Sequence, residues 1–269
     1  MKTIGQAFEG KKALITYICA GDPDLGTTSF LLQLLDRCGV DILEVGIPFS
    51  DPLADGPVIQ QAGQRALKSG TTLKKILEML TGLKNSISAP VVLMGYMNSV
   101  IAYGADTFAE DASKAGVSGV IIPDLPFHQG ETLGALLRKR GMDFILMVTP
   151  NTAATRIKAI SERASGFLYC VSLLGVTGNT EKSGAPLEEY LQRIRSCTSL
   201  PLAVGFGVNS PDRAKTAAGA ADGVIVGSAL VSLLESCGKD RARMEKTASS
   251  FVSSMRSALD EVAVSRQKG

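Results

Sequence analysis

The fold is decided by the stretch DILEVGIPFSDPLADGPVIQ, residues 41–60, which joins a short apolar run to a proline-rich loop. The run DILEVGI (41–47) is almost continuously apolar and is bounded by Asp and Pro. Runs of this kind are typical of strands buried on both faces, as in a parallel sheet covered by helices. The loop that follows carries two aspartates. The stretch therefore predicts a strand of a parallel sheet that ends in a rigid, acidic loop.

The same pattern recurs along the whole chain. The eight short apolar runs are ALITYIC (13–19), DILEVGI (41–47), PVVLMGY (90–96), VSGVIIP (117–123), MDFILMV (142–148), GFLYCVS (166–172), LPLAVGF (200–206) and DGVIVG (222–227). Segments with helical periodicity lie between them, such as TTSFLLQLLDRC (27–38), TTLKKILEMLTGLK (71–84), ETLGALLRKR (131–140) and LEEYLQRIRS (187–196). This alternation predicts parallel strands joined by right-handed helical crossovers. Eight repeats fit a closed (β/α)8 barrel better than an open doubly wound sheet.

The expected architecture is therefore an α/β TIM barrel with extra N- and C-terminal helices. The C-terminal segment, residues 241–266, reads as a long helix that packs outside the barrel. No Ser/Gly-rich linker or low-complexity tract divides the sequence. We expect residues 1–269 to form a single domain.

The composition argues against several classes of protein. Of the 269 residues, 45% are hydrophobic and 20% are charged, and 28 basic and 26 acidic residues give a net charge of +2. The sequence has no basic stripe with interleaved aromatic residues, so no nucleic-acid partner is expected. No run approaches the ~20 apolar residues of a membrane span, and no signal peptide is recognisable, so no membrane association is expected. We expect a cytoplasmic protein, or one of the chloroplast stroma if the source is a plant or an alga.

Metal and nucleotide sites have little support in the sequence. The five cysteines are scattered and never in a CxxC spacing, so neither a zinc site nor a disulfide framework is predicted. The single histidine, His128, has no nucleophile elbow with which to form a catalytic triad. No GxxxxGK(S/T) or GxGxxG motif follows the first strand, and no HExxH motif occurs. We expect no metal and no nucleotide cofactor, although Asp51 and Asp55 leave a Mg²⁺ site open.

Two long connections indicate where the functional site lies. One contains SDPLADG (50–56) after the second strand, and the other contains LLGVTGNTEKSGAP (173–186) after the sixth. In a parallel barrel both lie at the C-terminal ends of the strands, where barrel active sites are built. Their glycines and polar residues are typical of lids that become ordered when a ligand binds.

Three glycine-bearing segments late in the chain indicate a phosphate site. They are GVTG (175–178), VGFGVNSP (204–211) and IVGSAL (225–230). The second and third follow the seventh and eighth strands, where barrel enzymes usually bind phosphate. Gly227 allows a close approach of the backbone, and Ser228 opens a helix whose N–H groups are free to bind an anion. The sequence therefore predicts a phosphorylated small molecule as the ligand.

Glu44 is the first candidate for acid–base chemistry. Side chains alternate along a strand, so Ile42, Glu44 and Gly46 share one face, which we expect to point into the barrel mouth. An unpaired carboxylate is costly there and is expected to be protonated or paired. Asp51 and Asp55 are turn formers that could each be a brace of the loop. Together with Glu44, one of them would give a pair of carboxyl groups for proton transfer.

Together these motifs resemble the tryptophan synthase alpha chain family. The resemblance is carried by LEVGIPFSDPLADGPVIQ (43–60), ITYICAGDPD (15–24), VVLMGYMN (91–98), IIPDLP (121–126), YCVSLLGVTG (169–178), GFG (205–207) and GSA (227–229). These motifs occur in order from about residue 13 to residue 231 and cover nearly the whole barrel. The motif at residues 43–60, which contains both Glu44 and Asp55, is highly specific, whereas GFG occurs in many phosphate-binding barrels.

The resemblance implies a lyase that cleaves indole-3-glycerol phosphate to indole and glyceraldehyde 3-phosphate with no cofactor in this chain. It implies that Glu44 protonates the indole ring carbon and assists deprotonation of the glycerol hydroxyl. It also implies that Asp55 holds the indole N–H and stabilises the positive charge that develops on the ring. Asp51 is then left as a brace of the loop.

The resemblance also assigns residues to substrate binding. Those implied for the phosphate are Gly178, Gly207, Gly227 and Ser228. Those implied for the wall of the indole pocket are Tyr17, Met94, Ile121 and Tyr169, and Thr177 is implied as a lid residue that orients Asp55. The chain departs from the family pattern at Leu173, where some relatives have a basic residue, and at Ser99, where proline is common after Asn.

A partner chain follows from the same resemblance. An alpha chain typically binds a pyridoxal-phosphate-dependent β chain in an α2β2 heterotetramer, and indole passes through a tunnel between them. Pyridoxal phosphate is then expected only in the partner. The open alternatives are another phosphosugar barrel such as an epimerase or an indole-glycerol-phosphate synthase, a stand-alone lyase that releases free indole, and a subunit that mainly activates a β chain. The synthase would need a lysine acid at a strand end, and no predicted strand carries one.

Overall fold

The eight predicted strands form a closed parallel barrel in the order β1 to β8. The computed structural model describes residues 2–171, 187–205 and 207–266, without the side chains of residues 128 and 263–266. The strands are β1 Ala13–Cys19, β2 Ile42–Gly46, β3 Val91–Met94, β4 Val117–Ile121, β5 Asp143–Val148, β6 Leu168–Val171, β7 Leu202–Gly205 and β8 Gly223–Val226. Each strand lies within its predicted run, so the predicted TIM barrel is confirmed.

Helices connect the strands and surround the barrel. Within the described residues they are α1 Leu25–Arg37, α2 Pro57–Lys68, α3 Leu73–Leu83, α4 Met97–Tyr103, α5 Ala105–Lys114, α6 Gly130–Lys139, α7 Ala154–Arg163, α8 Leu187–Arg195, α9 Pro211–Ala220, α10 Ser228–Ser236 and α11 Arg241–Arg266. The extra N-terminal helix is one turn of 3₁₀ helix, Gly5–Phe8, and the extra C-terminal helix is α11. None of the described helices is long and apolar enough to cross a membrane.

Alternation along the strands produces two separate apolar clusters, one inside the barrel and one between the barrel and its helices. On β1, Tyr17 belongs to the inner cluster and Ile18 to the outer one. On β2, Ile42 belongs to the inner cluster, and Glu44 is paired with Tyr17 in the parallel register. The inner face predicted for Glu44 is therefore the face that it occupies.

Two helices close the barrel at opposite ends. At the C-terminal mouth, α2 contributes Ala62 and Ala66 to the inner cluster, so this helix covers part of the opening. At the N-terminal end, Ala7 of the 3₁₀ helix and the preceding Ile4 belong to the inner cluster, so this helix closes that opening. The long helix α11 packs outside the barrel, where Arg256 donates hydrogen bonds to the Asp41 carboxylate and the Lys12 carbonyl, each at 2.9 Å. The mouth between α2 and the other strand ends is thus the part of the barrel left for a site.

Candidate active site

Glu44 is buried in the barrel with no hydrogen-bond partner for its carboxyl group. Its residue surface is 1% exposed, and neither carboxyl oxygen contacts a donor in the described part of the chain. Burial, with a smaller contribution from the nearby Asp55, raises the pKa of Glu44 to about 8. Because the charged form is disfavoured, the group is mostly protonated at neutral pH. A protonated carboxyl group in this position is chemically able to donate a proton.

Asp55 is the second carboxyl group of the site. It lies in the loop after β2, two residues before the start of α2, and is half-buried. Burial raises the pKa of Asp55, and a hydrogen bond from Tyr96 opposes that rise. Since Asp55 also raises the pKa of Glu44, the two groups interact electrostatically. Two carboxyl groups in different surroundings can take different roles, one as an acid and the other as an anion.

Tyr96 is a site residue that the sequence reasoning missed. Its hydroxyl accepts a hydrogen bond from the Ala54 N–H at 3.0 Å and donates one to the Asp55 carboxylate. Its ring stacks on Phe49, with the ring centroids 5.1 Å apart. One buried side chain thus holds the acidic loop at two points. The available signal was its position just beyond β3, at the end of the barrel where active sites form.

Asp51 lies apart from this pair. Its side chain is exposed, and no described residue bonds its carboxylate, whereas its carbonyl accepts a hydrogen bond from the Leu53 N–H at 3.0 Å. The bracing contact of Asp51 is thus made by its backbone. No cluster of three or more potential metal ligands occurs within the described ranges.

The predicted indole-pocket residues lie together inside the barrel. Tyr17, Met94, Ile121 and Tyr169 are all buried members of the inner cluster. Two glycines make room for the tyrosine rings, because a Cβ at Gly46 would overlap the Tyr17 hydroxyl and a Cβ at Gly205 would overlap the Tyr169 hydroxyl. Burial raises the pKa of both phenols well above their usual value. The pocket wall is therefore apolar and uncharged beside the two carboxyl groups.

The predicted phosphate residues in the described part of the chain lie at the ends of two neighbouring strands, β7 and β8. Gly207 has a φ of 80°, a left-handed conformation that favours glycine. Gly227 precedes α10, and its carbonyl accepts the first helical bond, from the Val231 N–H at 3.0 Å. The backbone N–H groups of Ser228, Ala229 and Leu230 precede this first helical bond and are therefore available to an anion. Gly178, Thr177 and the lid departure at Leu173 lie outside the described residues.

The family model of the tryptophan synthase alpha chain matches residues 5–260. This chain belongs to that family. The alpha chain of Petrotoga mobilis is 50% identical over 256 residues, which cover 95% of this chain and 99% of the relative. The alpha chain of Geobacter sulfurreducens is 44% identical over 249 residues, which cover 93% of this chain and 94% of the relative.

Solved structures of the family have the same fold. The alpha chain from Legionella pneumophila subsp. pneumophila is 37% identical, with a TM-score of 0.87 over 97% of this chain and 98% of that one. A chain of tryptophan synthase from M. tuberculosis in its aminoacrylate-bound form is 31% identical, with a TM-score of 0.84 over 95% of this chain and 98% of that one. As a tryptophan synthase alpha chain, this family member is a carbon–carbon lyase that cleaves indole-3-glycerol phosphate in tryptophan biosynthesis.

Proposed function

We propose that Glu44 and Asp55 are the two catalytic residues of the lyase reaction. The observation that carries this proposal is the buried Glu44 carboxyl group, which has no partner among the described residues, has a pKa raised to about 8 and interacts with Asp55. Such a group costs folding free energy, and groups with a strongly shifted pKa cluster at functional sites. The second carboxyl group is held by Tyr96 at the same mouth.

The reaction needs one proton delivered and one removed. Protonated Glu44 gives its proton to the ring carbon that bears the glycerol chain, and the positive charge that forms on the ring nitrogen is stabilised by ionised Asp55. The Glu44 carboxylate then takes the proton of the adjacent glycerol hydroxyl. The oxygen lone pair forms the aldehyde as the carbon–carbon bond breaks, and the electrons of that bond restore the indole ring. Glu44 ends protonated, so the cycle needs no cofactor from this chain.

The substrate is oriented by two groups of residues, one for its phosphate and one for its indole ring. We propose that Gly207, Gly227 and Ser228, with Gly178 of the lid, hold the phosphate, which the free backbone N–H groups after β8 support. Tyr17, Met94, Ile121 and Tyr169 would enclose the ring, with Thr177 as a lid residue. This arrangement places the ring beside the carboxyl pair and the phosphate at the neighbouring strand ends.

The test of the proton transfer is exchange at the indole ring carbon. Indole and glyceraldehyde 3-phosphate are incubated with the protein in D2O, and loss of the ring C–H signal is followed by NMR. We expect fast exchange with the wild type and none above background with Glu44→Gln. Exchange by Glu44→Gln at the wild-type rate would contradict the proposal.

We further propose that the partner is a β chain, in an α2β2 heterotetramer in which only the β chain carries pyridoxal phosphate. Two large apolar side chains at the mouth support a docking surface there, Leu53 at 86% exposure and Ile101 at 62%. They lie on the loop after β2 and on α4 after β3, next to the Ser99 departure. Since the relatives are named as alpha chains of tryptophan synthase, a subunit is favoured over a stand-alone lyase or a mainly regulatory chain.

Addition of a β chain tests this partnership. Indole release from indole-3-glycerol phosphate is measured for the protein alone and with a purified β chain. We expect faster release with the β chain, whereas an equal rate together with no co-elution would exclude it as a partner.

We also propose that residues 1–269 form a single domain, since the family model spans residues 5–260. The cytoplasmic location stays a prediction.

A further inference from the structure

Arg65 of α2 uses all three guanidinium nitrogens in ion pairs that join three elements at the barrel mouth. Its Nε and Nη2 donate to the two carboxylate oxygens of Asp22 at 2.7 and 2.8 Å. Its Nη1 donates to Glu235 at 2.6 Å. Asp22 lies between β1 and α1, and Glu235 lies near the C-terminal end of α10. We call these three residues the Arg65 network.

The helix that carries Arg65 is bound directly to Asp55. Pro57 begins α2 two residues after Asp55. The Gln60 side-chain amide donates a hydrogen bond to the Asp55 carbonyl at 2.9 Å. A helix moves as a rigid body over such a short distance, so a shift or rotation of α2 displaces the backbone that carries Asp55.

Apolar packing holds α2 through the buried Ala62 and Ala66, but it leaves a gap beside the Arg65 network. A cavity of about 240 Å³ lies there, and Arg65, Asp22 and Glu235 form part of its lining. The rest of the lining includes Ile18 of β1, Leu31 of α1, Val231 and Leu234 of α10, and Met244 of α11. This volume exceeds the roughly 10–15 Å³ that one water needs on the same measure, so the ion pairs cross a gap that side chains leave between α2 and its neighbours. The two-oxygen pairing of arginine with a carboxylate is strongly directional, and it supplies the geometry that packing does not.

We propose that Arg65 is a positioning residue for the lyase reaction, because the Arg65 network sets where α2 places Asp55 over the barrel mouth. The inference rests on the catalytic role proposed for Asp55. Arg65 would therefore affect the binding and reaction of the indole ring, because Asp55 is proposed to face that ring. The phosphate end depends less on the network: α10 carries Glu235 near its C-terminal end, but buried Leu230, Val231 and Leu234 hold that helix in place and Gly227 lies at its opposite end.

The test separates the two ends of the substrate in the variant Arg65→Gln. We expect kcat for cleavage to fall by up to about 100-fold, the loss that a displacement of ~1 Å in a catalytic group can cause. We expect KM for indole in the reverse reaction with glyceraldehyde 3-phosphate to rise. Competitive inhibition by inorganic phosphate should be unchanged. Arg65→Lys keeps the charge without the two-pronged geometry and should give an intermediate kcat.

The matched control is Lys215→Gln, which breaks a surface ion pair of 2.6 Å with Glu261, between α9 and α11. It should leave kcat, KM and phosphate inhibition unchanged. Wild-type kcat and KM for indole in Arg65→Gln would overturn the inference. A parallel loss of indole and phosphate affinity would also overturn it, since it would indicate general damage to the fold. Wild-type turnover by Asp55→Asn is a separate outcome that would remove the catalytic role of Asp55, whatever Arg65 does.

Discussion

Tyr96 donates a hydrogen bond to the Asp55 carboxylate. The bond connects the segment just after β3 to the loop after β2. The same hydroxyl accepts a hydrogen bond from the Ala54 N–H at 3.0 Å. The carboxylate is therefore oriented by a residue of the barrel mouth itself. A preset orientation of this kind lowers the cost of stabilising charge on the substrate.

Tyr96→Phe should lower kcat by roughly tenfold, because the variant loses hydrogen bonds worth about 1–1.5 kcal/mol. The lost bond also opposes the raised pKa of Asp55, so the pKa of that carboxyl should rise further. The acidic limb of the pH profile of kcat/KM should then move to higher pH. Steady-state cleavage across a pH series measures both effects.

The control is Tyr103→Phe, which removes a hydrogen bond of 2.8 Å from a tyrosine to the Asp111 carboxylate away from the mouth. It should leave both kcat and the pH profile unchanged. An unshifted acidic limb in Tyr96→Phe would show that the hydroxyl does not act on Asp55.

Glu44 should make stability depend on pH. Below its ordinary pKa of 4.5 the carboxyl is protonated in both the folded and unfolded states, so there is no penalty. As the pH rises from there to about 8, the unfolded chain is ionised while folded Glu44 stays protonated, and stability falls. Above that window both states are ionised, and the fall ends.

Glu44→Gln should remove this dependence, because an amide does not titrate. Any cost of burying the amide is independent of pH. The free energy of unfolding of the variant, relative to that of the wild type, should therefore increase as the pH rises from 4.5 to about 8. Each unit of pKa shift corresponds to about 1.4 kcal/mol. Urea unfolding of both proteins at several pH values measures the difference. A difference that is constant with pH would contradict the raised pKa.

Gly46→Ala should displace the Tyr17 ring, because the added Cβ would overlap the ring and its hydroxyl. We expect a loss of stability of roughly 1–3 kcal/mol, as for overpacked cores, and a higher KM for the substrate. Gly82→Ala in α3 is the control, since a Cβ there meets no atom within 4 Å, and it should be neutral or slightly stabilising. Wild-type stability in Gly46→Ala would contradict this, since it would show that the Tyr17 ring moves without a free-energy cost.

Leu53→Asp should weaken activation by a β chain. The side chain is 86% exposed, so its replacement should leave the fold and the unassisted cleavage rate unchanged. An acidic group in an apolar contact loses burial energy and adds a desolvation cost. Titration of the cleavage rate with a β chain measures the shift. An unchanged half-saturating concentration would place the partner surface elsewhere.

The sequence predicted the barrel and most of the local structure because these depend on short-range patterns. β1 spans residues 13–19 as predicted, and α11 spans 241–266. The inner face of Glu44 followed from alternation along β2. The third strand ends at Met94 rather than at the predicted residue 96, because Tyr96 is already the N-cap residue of α4, which begins at Met97.

The missed residues depend on contacts between distant segments. Tyr96 reads as the end of an apolar run, and its contact with Asp55 arises only when the β2 and β3 loops meet. Arg65 is partly exposed on α2, and its partners Asp22 and Glu235 reach it from two other elements. Local periodicity carries no information about such pairs.

The central claim is that Glu44 and Asp55 together perform the cleavage, and turnover tests it most directly. Indole release from indole-3-glycerol phosphate is measured for the wild type, Glu44→Gln, Asp55→Asn and Asp51→Asn, the last being an exposed aspartate in the same loop as the matched control. We predict that both catalytic variants lose at least about 100-fold in kcat, as expected for lost acid–base catalysis, while Asp51→Asn turns over like the wild type. Wild-type turnover by Glu44→Gln or Asp55→Asn would contradict the account.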